Sequence, residues 1–268
     1  MADPRLPVAL HPIAALRRYT EARIGLGRYG SGLPTAAHLD FAEAHARARD
    51  AVHAAFEADA IAAHLQTAGR PCVHVASEAG DRATYLRRPD LGRRLSAAAR
   101  AELAALVSGF EPPDLAIVIG DGLSARAVNT YAGESALSIL KLLPQAWHVA
   151  PIVLASGARV ALSDPIGEVL GARLVLMLIG ERPGLSAADS LGAYLTFAPR
   201  SGKTDADRNC VSNIRAGGLA PQLAAAKIAG LLTRARALGL SGVGLKDDEG
   251  LIEGVAALPA LEKPGISP

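Results

Sequence analysis

The chain has 268 residues, enough to bury one large core; half are hydrophobic and only 4% aromatic, so that core is built from Ala, Leu, Val and Ile. A formal net charge of +2, interspersed along the chain, leaves no basic footprint for nucleic acid, and no apolar run approaches the roughly 20 residues of a membrane-spanning helix. The two cysteines, Cys72 and Cys210, form no C-x-x-C and no Cys/His cluster, which fits a reducing, cytosolic setting and argues against structural zinc.

Met1-Ala-Asp-Pro-Arg5 lacks the apolar stretch of a secretory leader, so secretion is not expected. Residues 1–33 are rich in Gly, Arg and Pro, with an Arg-rich helical stretch over 14–23. Gly25-Leu-Gly27-Arg-Tyr-Gly30 spells G-x-G-x-x-G, but a dinucleotide fingerprint must follow a strand and open a helix. A helix precedes it here and Pro34 interrupts the chain just after it, so an ordered arm or loop is expected. Thr35 is suited to cap one long Ala-rich helix, residues 36 to 67, with Leu39, Ala42, Ala46, Val52, Phe56 and Ile61 near one stripe. His38, His45, His53 and His64 fall along it without a third ligand at metal spacing, and are read as solvated or capped. Val73 and Val75 alternate like a short strand; the arginine-rich stretch 87–94 then leads into a helix over 96–107. Those arginines either meet an anion or an acidic partner, or simply solvate a helix start.

Glu111-Pro-Pro-Asp114 reads as a linker, after which strands alternate with helices. Strands are expected at 115–119, 152–154, 174–179 and 193–197, and helices from Ser124 towards Leu143, over 166–170, 186–191 and from Pro221 to about Leu238. Such alternation predicts an α/β fold: a mostly parallel open sheet flanked by helices with right-handed crossovers, preceded by an N-terminal helical region. The organisation expected is an arm and helical region over 1–110, the α/β domain over 111–246, and a tail over 247–268 without clear period.

The run Leu174 to Ile179 is wholly apolar and stops at Gly180-Glu181-Arg182-Pro183-Gly184. In open α/β sheets ligands sit outside the carboxyl ends of the strands, so Glu181 is expected to face a crevice and accept a hydrogen bond from a ligand amide. Asp121 and Ser124, at another strand end, are expected to cap a helix and line the same crevice; G-x-S-x-G is absent, so Ser124 is not read as a nucleophile. Ser201-Gly-Lys-Thr204 fails as a phosphate loop because Phe197 stands where the first glycine belongs. Cys210 has the character of a small core residue, yet its setting from Asp207 to Gly218 is polar and Gly-rich, as in a loop that meets a ligand.

Several motifs, taken together, resemble the small subunit of ethanolamine ammonia-lyase from about Arg17 to Lys246. They are the 87–95 arginine stretch, the Asp121-Gly-Leu-Ser124 turn, Asp164-Pro-Ile-Gly-Glu-Val-Leu-Gly171, Gly180-Glu-Arg-Pro-Gly184 and Asp207-Arg-Asn-Cys-Val-Ser-Asn-Ile214. The resemblance implies an adenosylcobalamin-dependent radical enzyme that converts ethanolamine to acetaldehyde and ammonia. A large subunit would hold the substrate while this chain's Rossmann- or flavodoxin-like, cobalamin-binding domain closes over the corrin. It implies cofactor contacts at Val160, Glu181 and Cys210, no general acid or base on this chain, and a higher-order hetero-oligomer in the cytosol or inside a bacterial microcompartment. D-x-H-x-x-G, used where a histidine replaces the cofactor's own base, is missing: none of the seven histidines has Asp two residues before it, so base-on cobalamin is expected. The residues alone leave two other readings open, a stand-alone nucleotide-binding oxidoreductase using Gly25 to Gly30 and a non-catalytic module whose arm targets a complex to a protein shell.

Overall fold

The computed structural model describes residues 12–107 and 111–246; the tail expected over 247–268 lies outside them. A 3-10 helix over Pro12–Tyr19 is followed by α1 (Thr35–His53), α2 (Ala58–Thr67), β1 (Cys72–Ala76), α3 (Arg82–Arg87) and α4 (Ala97–Val107). Then come β2 (Leu115–Gly120), α5 (Ala125–Leu142), β3 (Ile152–Ser156), α6 (Ser163–Val169), β4 (Leu174–Gly180), β5 (Leu191–Phe197), β6 (Arg208–Ile214) and α7 (Pro221–Leu238).

Every residue of β2 and of β4 is buried, which requires apolar side chains on both faces of the sheet. Successive residues alternate between two cores. Leu115, Ile117, Ile119, Leu174, Leu176 and Leu178 pack under α2, α5 and α7, whereas Ala116, Val118, Val175, Met177 and Ile179 pack under α4 and α6. The six strands lie in the order β1-β3-β2-β4-β5-β6. Strand β1, at the edge, precedes residue 111, so the sheet reaches across the boundary expected there.

The sheet is mixed, not mostly parallel throughout. β1, β3, β2 and β4 are parallel neighbours, but β5 and β6 run antiparallel. The connection from β4 to β5 explains this, because no helix forms over 186–190 and a short link can only return the chain antiparallel. Its backbone is committed elsewhere: Gly184 N and Ala187 O close a turn at 2.9 Å, Glu181 N donates to Ser190 O at 2.9 Å, and Ala188 O accepts from Ser124 Oγ at 2.8 Å. β6, expected as loop, is an edge strand, and an edge tolerates polar residues on its open face.

The single helix expected over 36–67 is two helices. No Gly or Pro breaks it; Asn129 on α5 does, its amide donating to Ala55 O at 2.9 Å and accepting from Glu57 N at 3.0 Å. Arg82 then receives the end of α1, its Nε donating to Val52 O at 2.8 Å.

Candidate functional site

The turn after β2 crosses the end of β4 backbone against backbone. Gly122 has φ +59, and a Cβ there would stand 2.2 Å from Gly180 O; a Cβ on Gly180 would stand 2.1 Å from Ser124 O. Leu123 N donates to Gly180 O at 2.9 Å across this contact. Ser124 caps α5, accepting from Ala127 N at 3.3 Å. Asp121 differs from the expectation, for it joins turns instead of capping a helix. Its Oδ1 accepts from Gly122 N at 3.0 Å and from Ala158 N, beyond β3, at 2.8 Å. Burial pushes its carboxyl up from the ordinary range, against the pull of the Ala158 N–H and Arg82. Arg82 locks the same turn from outside, donating to Gly122 O at 2.7 Å and Leu123 O at 3.2 Å.

The adjacent strands β2 and β3 send their chains to opposite faces, β2 into α5 and β3 into the 3-10 turn Val160–Leu162 and α6. A topological switch of this kind opens a crevice at the strands' carboxyl ends. Here it measures about 380 Å³, and its walls include Tyr85, Gly122, Arg159, Val160, Glu181 and Tyr194.

Glu181 is held by elements later in the chain. Its Oε2 accepts from Ser190 Oγ and from Asn213 N at 3.2 Å. Asn213 has φ +58 where the β5–β6 register shifts, an irregularity that turns its N–H towards the carboxylate. Oε1 accepts no hydrogen bond from the described residues and stands over Gly192, where a Cβ would come within 3.0 Å of it. Val160, half-buried, opens the turn that forms the facing wall. Cys210 is exposed on β6 directly opposite Tyr194 in the β5–β6 register, so it borders the crevice through that tyrosine. Desolvation pushes the Cys210 thiol up and the Glu181 charge adds to this, against the Tyr194 hydrogen bond. The group is a neutral thiol at physiological pH rather than an activated nucleophile.

Val160 and Glu181 thus share one crevice and Cys210 lies at its border. Three participants carry no mark in the sequence, Tyr85, Arg159 and Tyr194, while Asn213 falls inside the polar, Gly-rich stretch expected to meet a ligand. Tyr85 is 1% exposed, donates its hydroxyl to Ala158 O at 3.1 Å and is pushed up to about 12 chiefly by burial. The guanidinium of Arg159 stands 4.2 Å and that of Arg82 4.7 Å from its ring centre. Only the pairing of aromatic and arginine in the 82–87 segment could have pointed to it. The Gly25 to Gly30 loop has φ > 0 at all three glycines but follows a 3-10 helix, so the strand a dinucleotide site requires is missing before it.

An open-edged α/β sheet with its crevice at a topological switch, walled by aromatic rings, two arginines and a fixed carboxylate, is the arrangement in which α/β domains commonly hold small molecules. The ethanolamine ammonia-lyase light-chain family matches residues 10–246 of this chain. The chain is 54% identical to the ethanolamine ammonia-lyase small subunit of Bradyrhizobium diazoefficiens, over 92% of its own length and 94% of the relative's. It is 52% identical to those of Rhodopseudomonas palustris, over 96% and 97%, and Azotobacter vinelandii, over 92% and 92%. The chain belongs to the ethanolamine ammonia-lyase small-subunit family.

Proposed function

We propose that this chain holds adenosylcobalamin from one side in an ethanolamine ammonia-lyase, a carbon–nitrogen lyase active only with the large subunit that binds ethanolamine. When bound, the cofactor supplies the radical chemistry that turns ethanolamine into acetaldehyde and ammonia. This chain contributes position and shelter: Glu181, Val160 and Cys210 contact the corrin, and none acts as general acid or base.

The observation that carries the reading is the state of Glu181. With Oε2 held by Ser190 and Asn213, the carboxylate is fixed in the crevice lining, its Oε1 over Gly192 and without a hydrogen bond from the described residues. A corrin is an apolar ring rimmed with amides, so a fixed carboxylate beside the apolar Val160 matches its edge. A charged hydrogen bond of this type is worth about 1.5–3 kcal/mol, and holding the acceptor in place beforehand avoids the cost of ordering it on binding. The 380 Å³ crevice is too small for a whole cobalamin, so residues at its mouth meet the ring while the ring's other face stays open to a partner.

No described helix is long and apolar enough to cross a membrane. We place the hetero-oligomer in the cytosol or within a microcompartment. Visible-absorbance titration of the two-subunit complex with cobalamin and with NAD tests the class of ligand: saturable spectral change with cobalamin alone is expected. Binding of NAD in its place would restore the oxidoreductase reading.

A further inference from the structure

We infer that a second cavity, on the α4 and α6 side of the sheet, is a binding site for a small phosphorylated anion. It shares no lining residue with the crevice, and the inference stands whether or not the corrin reading does. Two sequence features that the crevice leaves unused meet there: the arginine stretch before α4 and the Ser201-Gly-Lys-Thr204 segment.

The cavity measures about 540 Å³, within the roughly 300–1,000 Å³ of small-ligand pockets. Its cations come from separate segments: Arg93 and Arg94 from the turn before α4, Arg100 from α4 itself, and Lys203 from the loop after β5. Backbone contacts hold these segments in place. Ser77, just past β1, pairs with Leu95, Glu78 N donates to Arg94 O at 2.9 Å, and Lys203 O accepts from Arg208 Nη2 at 3.0 Å. Four like charges gathered around one volume repel each other unless an opposite charge answers them.

The lining itself does not supply that answer. It has two acids, and both are committed: Asp164 is gripped by Arg208 at 2.6 and 2.7 Å, and Glu78 stands 3.6 Å from Arg94. Lys203 has Asp207, outside the lining, at 3.6 Å. Arg93 and Arg100 form no hydrogen bond or ion pair with any described residue. Arg100 does lie in the field of Glu168, but that carboxylate is also outside the lining and accepts from Ser201 N at 3.1 Å and Ser201 Oγ at 2.8 Å.

Neutral donors add to the cations. Ser96 Oγ accepts from Ala99 N at 3.2 Å, which leaves the Ala97 and Ala98 N–H groups at the start of α4 without a partner among the described residues; Ala97 is part of the lining. Gly202, at φ +97, has no heavy atom within 4 Å of where a Cβ would stand, so nothing covers the loop on that side. An arginine fork matches two phosphate oxygens at once, and lysine adds a point charge. A phosphate ester or diphosphate carries the two or more negative charges that Arg93 and Arg100 leave unanswered, whereas a lone carboxylate carries one. The groups converge on a concave volume instead of following a strip, which favours a small ligand over a nucleic-acid backbone or an acidic polypeptide.

The test is calorimetric titration of the two-subunit complex, with cobalamin present, using inorganic phosphate and pyrophosphate at constant ionic strength. Saturable binding at one site per small chain is expected, tighter for pyrophosphate. Arg93→Gln combined with Arg100→Gln removes two exposed side chains that hold nothing in the fold, and should weaken pyrophosphate about tenfold or more. Lys141→Gln removes an exposed charge from α5, on the other face of the sheet, and should leave the dissociation constant unchanged. Absence of saturable binding, or equal affinity of the double variant and wild type, would overturn the proposal. So would equal weakening by Lys141→Gln, the mark of diffuse ionic attraction. Binding seen with this chain alone and lost in the complex would assign the cavity to the subunit interface and overturn it too. Cobalamin affinity is expected to be the same in the double variant and wild type. A failed phosphate titration therefore leaves the corrin contact untouched, and a failed corrin contact leaves this cavity untouched.

Discussion

The two halves of the sheet are held together in different ways. The parallel half from β1 to β4 rests on apolar burial: each strand feeds two cores, and at its carboxyl end the β2 turn and β4 touch through glycine backbone. The antiparallel edge, β5 and β6, is polar along much of one face and is fastened by a buried ion pair. Arg208 on β6 and Asp164 on α6 are each 2% exposed in their side chains, and Arg208 also donates to Thr196 Oγ1 at 3.1 Å and Lys203 O at 3.0 Å. The proposed ligand contacts straddle the division, Val160 and Glu181 from the parallel ends and Cys210 from the edge. The apolar half fixes the strand ends through close backbone contact, and the polar edge adds Ser190 and Asn213 to hold the Glu181 carboxylate.

Separate damage to each half tests this contrast. Asp164→Ala strands a buried guanidinium and should cost about 3–5 kcal/mol in urea unfolding of the complex. A loss under about 1 kcal/mol would mean that the edge is held by something other than this pair. Gly180→Ala pushes a methyl group against Ser124 O, and the parallel half should lose about 1–3 kcal/mol through overpacking. An unperturbed melting curve for that variant would show that the crossing is looser than its backbone contacts indicate. The smallest effect lies where the halves meet. Because the Glu181 charge disfavours the Cys210 thiolate, Glu181→Gln should lower the thiol's pKa and raise its thiolate fraction at mildly alkaline pH. Iodoacetamide should then modify Cys210 faster in a Cys72→Ser background, and an unchanged rate would show that the two groups are not electrostatic neighbours.

Which of these features the sequence discloses depends on the range of the forces that set them. β2, β3, β4, α5 and α7 are legible because their apolar runs or periods are local, and Pro221 and Ser124 mark helix starts directly. The break between α1 and α2 is not legible, since the residue that causes it, Asn129, lies more than 70 positions away. The expected helix over 186–191 has passable local propensity, but Ser190 and Ala188 bond to Glu181 and Ser124 instead, and this turns β5 antiparallel. β6 reads as loop because an edge strand with an open face need not alternate with apolar residues. Glu181 is conspicuous as an acid ending an apolar run. Cys210 is marked locally by its polar, Gly-rich setting, whereas Val160 has no such mark and is reached only through the family resemblance. Arg159 and Tyr85 meet only once β3 and α3 are folded together.

The most direct test of the account is the cobalamin dissociation constant of the two-subunit complex with Glu181→Ala against wild type, read by visible absorbance. Loss of one charged hydrogen bond predicts affinity weaker by about tenfold or more. Equal affinities would contradict the claim that this carboxylate grips the corrin's edge.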